Sequence, residues 1–425
     1  MQLFMSLVGM VVLILIAVLF SSNYRAIKLR TVLGAFLIQI AIGAFVLYVP
    51  TGKIILVGMS EGVSSVIHYG QQGMDFIFGG LVSPKMYELF GSGGFVFALR
   101  VLPIIVFFSS LIAVLYYIGV MQLIIKILGG GLQKILGTSR TESLSATANI
   151  FVGQTEAPMV VRPYIATMTQ SELFAVMCGG LASVAGSVLA GYASMGVSLD
   201  YLIAASFMAA PGGLLFAKLM VPETEKPRDT VDAMSLVAEE DRPANIIDAA
   251  ASGAAAGMQL ALNVGAMLLA FVALIALVNG ILGGIGGWWN YPQLSLELVL
   301  GWICAPIAYL IGVPWNEATV AGSFIGQKLV VNEFVAFMNF GAYLKPDDVV
   351  AAAGLQVLSE HTKAIISFAL CGFANLSSVA ILLGGLGGMA PSRRGDVARL
   401  GIKAVIAGTL SNLMSATIAG FFLAL

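Results

Sequence analysis

"NIFVGQTEAP" occupies residues 149–158, and its core "FVGQ" (151–154) returns as "FIGQ" at 324–327. The first copy sets an amide, a hydroxyl and a carboxylate in a row, Gln154, Thr155 and Glu156, between Gly153 and Pro158. Such a cluster is ordinary on a soluble surface. Here it stands in a chain that is 59% hydrophobic and only 10% charged, with a mean hydropathy of +0.96. Soluble domains carry about 25% charged residues. Runs of roughly 20 apolar residues, the length a helix needs to cross the hydrocarbon, recur along the chain. They do not alternate in polarity as barrel strands do. The fold class expected is an all-α integral membrane protein.

The likeness extends beyond the two quartets. "MCGGLASVAGSVLAGY" (177–192) resembles "LCGFANLSSVAILLGG" (370–385), and upstream "LGTSRTES" pairs loosely with "IGVPWNEA", placing Glu142 and Glu317 at matching positions. Three similarities in the same order indicate a duplicated unit. Residues 141–168 and 313–340 are too polar for lipid-facing spans but long enough for two half-helices joined at "GQ". An arm of about 12 residues reaches about 18 Å, roughly to mid-membrane. Irregular backbone at that depth is tolerated only inside protein or beside water, so both segments are expected to be re-entrant hairpins.

Eight spans are expected around them, at about 3–20, 31–49, 94–119, 171–192, 199–220, 247–279, 361–389 and 401–424. Residues 3–20 lack a basic leader and a small-residue cleavage site, so they are read as a helix and not as a signal peptide. Residues 54–83 are expected to form an interfacial helix, 121–137 an amphipathic one, and "WWNYP" (288–292) an interfacial turn. The divisions that follow are scaffold helices in 1–120, a first repeat core in 121–220, a polar linker in 221–246, a scaffold helix and turn in 247–293, and a second core in 294–425. Residues 341–360 have no counterpart in the first repeat. Three spans separate the hairpins, so they enter from opposite sides, as in transporters built from inverted repeats. The lysines and arginines of 25–30, 126–140, 221–245 and 393–403 are then cytoplasmic. Both termini fall outside, and the first hairpin enters from the cytoplasm.

An ionisable residue at membrane depth marks a site by default. Glu156 and Glu333 qualify, one per hairpin, because a buried unpaired carboxylate costs several kcal/mol. Around them stand Asn149, Gln154, Thr155, Asn332 and, from the glycine-rich spans, Ser183, Asn375, Ser377 and Ser378. Amides, hydroxyls and two acidic acceptors suit a neutral polar solute. Arg162 is read as the one nearby base, at the cytoplasmic mouth. Asn149 and Ser183, with neighbouring carbonyls, could cage a sodium ion. Glu142 and Glu317 are expected to pair near the hairpin feet, and His68 and His361 to serve at the surface. Cys178, Cys304 and Cys371 lie in apolar segments and do not form a disulfide framework. The net charge of −1 gives no footing for nucleic acid.

"NIFVGQTEAP", "GSFIGQKLVVNEF" and "CGFANLSSVAI" resemble the signature segments of the concentrative nucleoside transporters, and the resemblance runs over essentially the whole chain. It implies a homotrimer in the bacterial inner membrane that moves nucleosides such as uridine with a cation down its gradient. It places Gln154, Thr155, Glu156 and Val188 at the nucleobase, and Glu333, Asn375 and Ser378 at the ribose. Gly153 and Phe373 would line the pocket. Asn149, Val152, Ser183 and Val184 would hold sodium. Proton coupling is the alternative, since some bacterial relatives use it. An intramembrane enzyme would need a nucleophile–base or metal constellation at depth, a dicarboxylate carrier would need arginine at the tips, and a passive channel would not need two occluding carboxylates.

Overall fold

The computed structural model describes residues 2–90, 94–227 and 243–425, and every regular element among them is a helix. Residues 228–242 of the expected linker lie outside the described residues. Seven helices are long and apolar enough to cross a membrane: Gln2–Leu19, Leu29–Leu47, Phe97–Tyr117, Gln170–Ser194, Leu199–Met220, Ile246–Gly287 and Pro391–Leu423. The eighth expected span, 361–389, holds two shorter helices, Glu360–Leu370 and Ser378–Met389, parted by an irregular break at 371–377.

Two copies of one order of elements follow each other. Val120–Leu136, a hairpin, the broken helix Gln170–Ala182/Gly186–Ser194 and Leu199–Met220 make the first. Leu296–Leu310, a hairpin, the broken helix Glu360–Leu370/Ser378–Met389 and Arg394–Leu423 make the second. The stretch without a counterpart, 341–360, folds as a 3₁₀ turn at Gly341–Leu344 and a short helix at Asp347–Ala352. Lys363 ties it down through Asp347 (3.5 Å) and Glu360 (2.8 Å).

The two copies point in opposite directions. At the foot of the first hairpin, Arg30 donates to the carbonyls of Lys134 and Ile135, Ser22 to that of Met220, and Arg393 to that of Met168. At the foot of the second, Ser359 donates to Glu317, Gln356 to the Asn316 carbonyl, and His361 Nε2 lies 2.9 Å from the Gly420 carbonyl. The helix Arg394–Leu423 therefore starts at one foot and ends at the other. At about 1.5 Å per residue its 30 residues cover about 45 Å, more than a bilayer core. Most basic segments gather at the first foot.

The core is polarised. In Gln170–Ala182 every residue after the first is buried, and in Leu199–Met220 eighteen are. By contrast Ile246–Gly287 buries only Ala249, Gly253, Gly257, Ala261, Val264, Leu268 and Gly286 over 42 residues. That stripe faces Leu102–Tyr117. Glycines let the two backbones meet: a Cβ on Gly257 would lie 2.8 Å from the Val106 Cα. Gly257→Val should therefore overpack the contact and destabilise the protein by about 1–3 kcal/mol, read as a lowered midpoint of thermal unfolding in detergent.

Two departures concern boundaries. The helix expected over 247–279 runs on to Gly287, because "GILGGIGG" stays hydrogen-bonded as a helix until Tyr291 N–H closes on the Gly286 carbonyl (2.8 Å). The interfacial segment is one helix, Pro50–Phe78, with Ile54, Ile55, Phe76 and Ile77 exposed.

Candidate substrate and ion site

The first hairpin begins at a capping box. Ser139 accepts from the Glu142 N–H, and Glu142 accepts from the Ser139 N–H, which starts Arg140–Ala148. Glu142 also takes the ammonium of Lys218, itself held by Ser171 Oγ at 2.7 Å. The expectation that Glu142 is structural holds, and Lys218 is its partner. Helix ends at Ala148, and residues 149–156 form the irregular tip. The returning arm, Ala157–Thr167, is 3₁₀ and not the α-helix expected. Pro163, inside the arm, removes an amide donor and clashes with the preceding turn, whereas Pro158 stands in the first turn, where proline is tolerated.

The tip leans into the break of the first broken helix. Gly186 N–H donates to the Phe151 carbonyl (3.0 Å). Asn149 is 1% exposed; its Nδ2 donates to the Ser145 carbonyl (2.9 Å), while its Oδ1 has no partner among the described residues. A Cβ on Gly179 would lie 3.1 Å from Asn149 Nδ2, and Ser183 Oγ donates to the Gly179 carbonyl at 3.0 Å. Asn149 and Ser183 thus flank one residue, with Val152 and Val184 buried beside them. A buried amide oxygen without a partner among the described residues and a hydroxyl at the same glycine have the oxygen-donor chemistry that a small cation takes.

Further along the tip, Gln154 packs over Gly180, whose Cβ position lies 2.9 Å from the Gln154 Cβ. Its Oε1 is also buried without a partner among the described residues. Thr155 lies against Gly385 of the other broken helix, and Val188 is buried. Glu156 is exposed and lines a cavity. That cavity of about 770 Å³ is lined by Gly153, Glu156, Ser187, Tyr116 and Arg162 among others. It lies within the range of about 300–1,000 Å³ usual for small-molecule sites.

The second hairpin corrects the expected joint. Its first arm, Trp315–Val330, runs through "GQ" without interruption, and the chain reverses at Val331 and Asn332 instead. Gly326 is a packing glycine: a Cβ there would stand 2.6 Å from the Leu300 Cβ, across the 115° bend between Leu296–Leu310 and this arm. Asn332 caps the returning arm by accepting from the Val335 N–H (2.9 Å), which sets Glu333 in its first turn.

Glu333 gathers the remaining expected residues. Asn375 Nδ2 donates to its Oε2 at 2.9 Å, and Tyr192 OH approaches Oε1 at 3.4 Å. The Asn375 Oδ1 in turn accepts from Ser377 Oγ (2.7 Å), Ser378 N–H (2.9 Å) and Ser378 Oγ (3.0 Å). Ser378 Oγ also reaches the Phe373 carbonyl at 2.5 Å. The two halves join through main chain, Phe373 N–H donating to the Ser183 carbonyl at 3.1 Å.

Three residues escaped the sequence reading. Tyr192 reaches Glu333 from the first repeat. Asn412 donates to the Ala182 (2.6 Å) and Cys371 (2.9 Å) carbonyls, one at each break. Lys328, 2% exposed, corrects the statement that Arg162 is the one base near the site. Its position directly after "GQ" at membrane depth was signal enough. The other expectations stand: Glu317 accepts from Ser359 (Oγ at 2.9 Å), and the three cysteines are free and buried. His68 is exposed, while His361 is tied to the Gly420 carbonyl.

Two inverted copies of a hairpin and a broken helix, meeting around a cluster of buried polar side chains, define a helical membrane transporter and not an enzyme. The chain belongs to the Na+-dependent nucleoside transporter family. The family's N-terminal model matches residues 8–81, the nucleoside-recognition gate model 98–199 and the C-terminal model 201–420. Among its relatives, the nucleoside permease NupC of Helicobacter pylori is 56% identical over 99% of this chain and 98% of its own. Human solute carrier family 28 member 3 is 39% identical over 97% of this chain and 59% of its own. The structure of CNTnw in an inward-facing substrate-bound state is 67% identical and superposes with a TM-score of 0.94 over 99% of this chain and 98% of that one.

Proposed function

We propose that this protein carries nucleosides such as uridine into the cell with sodium, as a homotrimer in the bacterial inner membrane with both termini on the periplasmic side. The observation that carries the reading is the cluster of Glu333, Asn375 and Ser378, drawn from the second hairpin and broken helix and closed by hydrogen bonds of 2.9 and 3.0 Å. A carboxylate beside an amide offers paired acceptors and donors at the spacing of two vicinal hydroxyls, which is what a ribose presents. Gln154, Thr155 and Glu156, with Val188, address the base from the first hairpin, and Gly153 and Phe373 line the space between. Asn149 and Ser183, with the carbonyls of Val152 and Val184, hold the sodium ion.

Coupling follows from linkage. The ion satisfies Asn149 Oδ1 and steadies the tip that carries Gln154 to Glu156, so the site that binds substrate is populated when sodium is bound. The two re-entrant hairpins and broken helices then move together against a scaffold of Gln2–Leu19, Leu29–Leu47, Phe97–Tyr117 and Ile246–Gly287. The basic segments gathered at the first foot support a cytoplasmic entry for that hairpin. Relatives solved in inward-facing and outward-facing states support alternating access.

The test is uptake of labelled uridine into proteoliposomes with and without an inward sodium gradient, with each nucleoside as competitor. Uptake should require sodium and be displaced by nucleosides. Uptake driven equally well by a proton gradient without sodium would favour the proton alternative. Ser183→Ala should raise the sodium concentration for half-maximal uptake roughly tenfold, the order of one lost oxygen contact, while leaving the maximal rate at saturating sodium near wild type.

A further inference from the structure

Lys328 lies buried in the second hairpin, and its ammonium touches no carboxylate among its hydrogen-bond partners. It donates to the Ala369 carbonyl at 2.8 Å and to Asn412 Oδ1 at 2.6 Å. Ala369 is the penultimate residue of Glu360–Leu370, so its carbonyl belongs to the negative end of that half-helix. Asn412 has its amide committed to the Ala182 and Cys371 carbonyls, which leaves Oδ1 to the lysine. Ala182 is the last residue of the other half-helix, Gln170–Ala182. Two carbonyl-rich helix ends therefore converge on one asparagine in the middle of the molecule, and unscreened they repel.

Each end has its own answer. Beside the first stand Asn149 and Ser183, with an oxygen lacking a donor. Beside the second stands a lysine. In the register that aligns "FVGQ" with "FIGQ", Lys328 falls opposite Thr155, so the first copy has no ammonium at that place.

We propose that Lys328 is a tethered cation, the second repeat's fixed counterpart of the exchangeable ion in the first. It neutralises the end of Glu360–Leu370 throughout the cycle and so positions the break that carries Asn375 and Ser378, while only the first repeat trades its cation with solution. This rests on the sodium reading of Asn149 and Ser183.

Purified protein in proteoliposomes provides the test, with uridine uptake as the readout. Lys328→Ala should lose uptake at least about a hundredfold, the order of two charged hydrogen bonds. Millimolar propylammonium should restore part of it, and neutral propanol should not. Wild-type uptake in Lys328→Met, no response of Lys328→Ala to the amine, or equal rescue by propanol overturns the proposal. Where Lys328→Ala does not fold, Lys328→Arg and Lys328→Gln decide: the charged variant should transport and the neutral one should not, and equal activity overturns the assignment. Wild-type uptake indifferent to sodium would overturn the ion reading alone, and amine rescue would still judge the lysine.

Discussion

Glu333→Ala should abolish nucleoside uptake while leaving a folded protein of native mass. The carboxylate is the hub of its cluster, receiving Asn375 Nδ2 at 2.9 Å and Tyr192 OH at 3.4 Å. On the proposed ribose contact, two hydroxyls then lose a charged acceptor, and each such hydrogen bond contributes about 1.5–3 kcal/mol. At about 1.4 kcal/mol per tenfold, the loss is two to four decades in affinity. The alanine also leaves the amide of Asn375 without its acceptor in a dry site. Glu333→Gln, which keeps the size and one acceptor, should fall between. Binding measured by calorimetry, beside size-exclusion chromatography for folding, separates lost recognition from lost structure. Wild-type affinity in the alanine variant would remove Glu333 from the site.

Glu156→Gln should also weaken uptake strongly, though less than Glu333→Ala, and through a different route. Glu156 faces the cavity, and Gly153 leaves its carboxylate room, since a Cβ there would stand 2.5 Å from Glu156 Oε2. The amide is nearly isosteric, so the fold has no reason to change. What changes is one proposed hydrogen bond: the charged acceptor for a base N–H becomes a neutral amide, whose N–H faces that donor unless the amide turns its oxygen to it. One lost charged hydrogen bond of about 1.5–3 kcal/mol predicts roughly a tenfold to hundredfold fall, with repulsion added. Uptake of several labelled nucleosides would show whether the loss depends on the base, as a base contact demands. Equal, unaltered uptake of all of them would end the assignment.

How much of this could be read from the residues differs between the two hairpins. The first was legible because polar groups cannot stand at depth without a reason, and Gln154, Thr155 and Glu156 do occupy an irregular tip. The second was mislocated because one glycine can serve two purposes. Gly153 makes room within a turn, whereas Gly326 admits a neighbouring helix, and "GQ" looks the same in both. The carboxylates were visible as costly charges, and so should Lys328 have been. Asn412 and Tyr192 were not legible, since each sits in an ordinary apolar helix and acquires its role only when the other repeat arrives beside it. Contacts between copies are set by tertiary packing, and no local pattern announces them.

The joint between the breaks, Phe373 N–H to the Ser183 carbonyl, and that between tip and break, Gly186 N–H to the Phe151 carbonyl, are both made of main chain. A bond between an amide and a carbonyl asks nothing of the side chains around it, provided no proline takes the donor's place. At these two joints, therefore, side chains can change without unfastening the bond. Divergence can fall on the lining, where one copy carries Glu156 at its tip and the other Glu333 beside Asn375. A duplicated unit thus yields two differently lined halves fastened at joints of main chain.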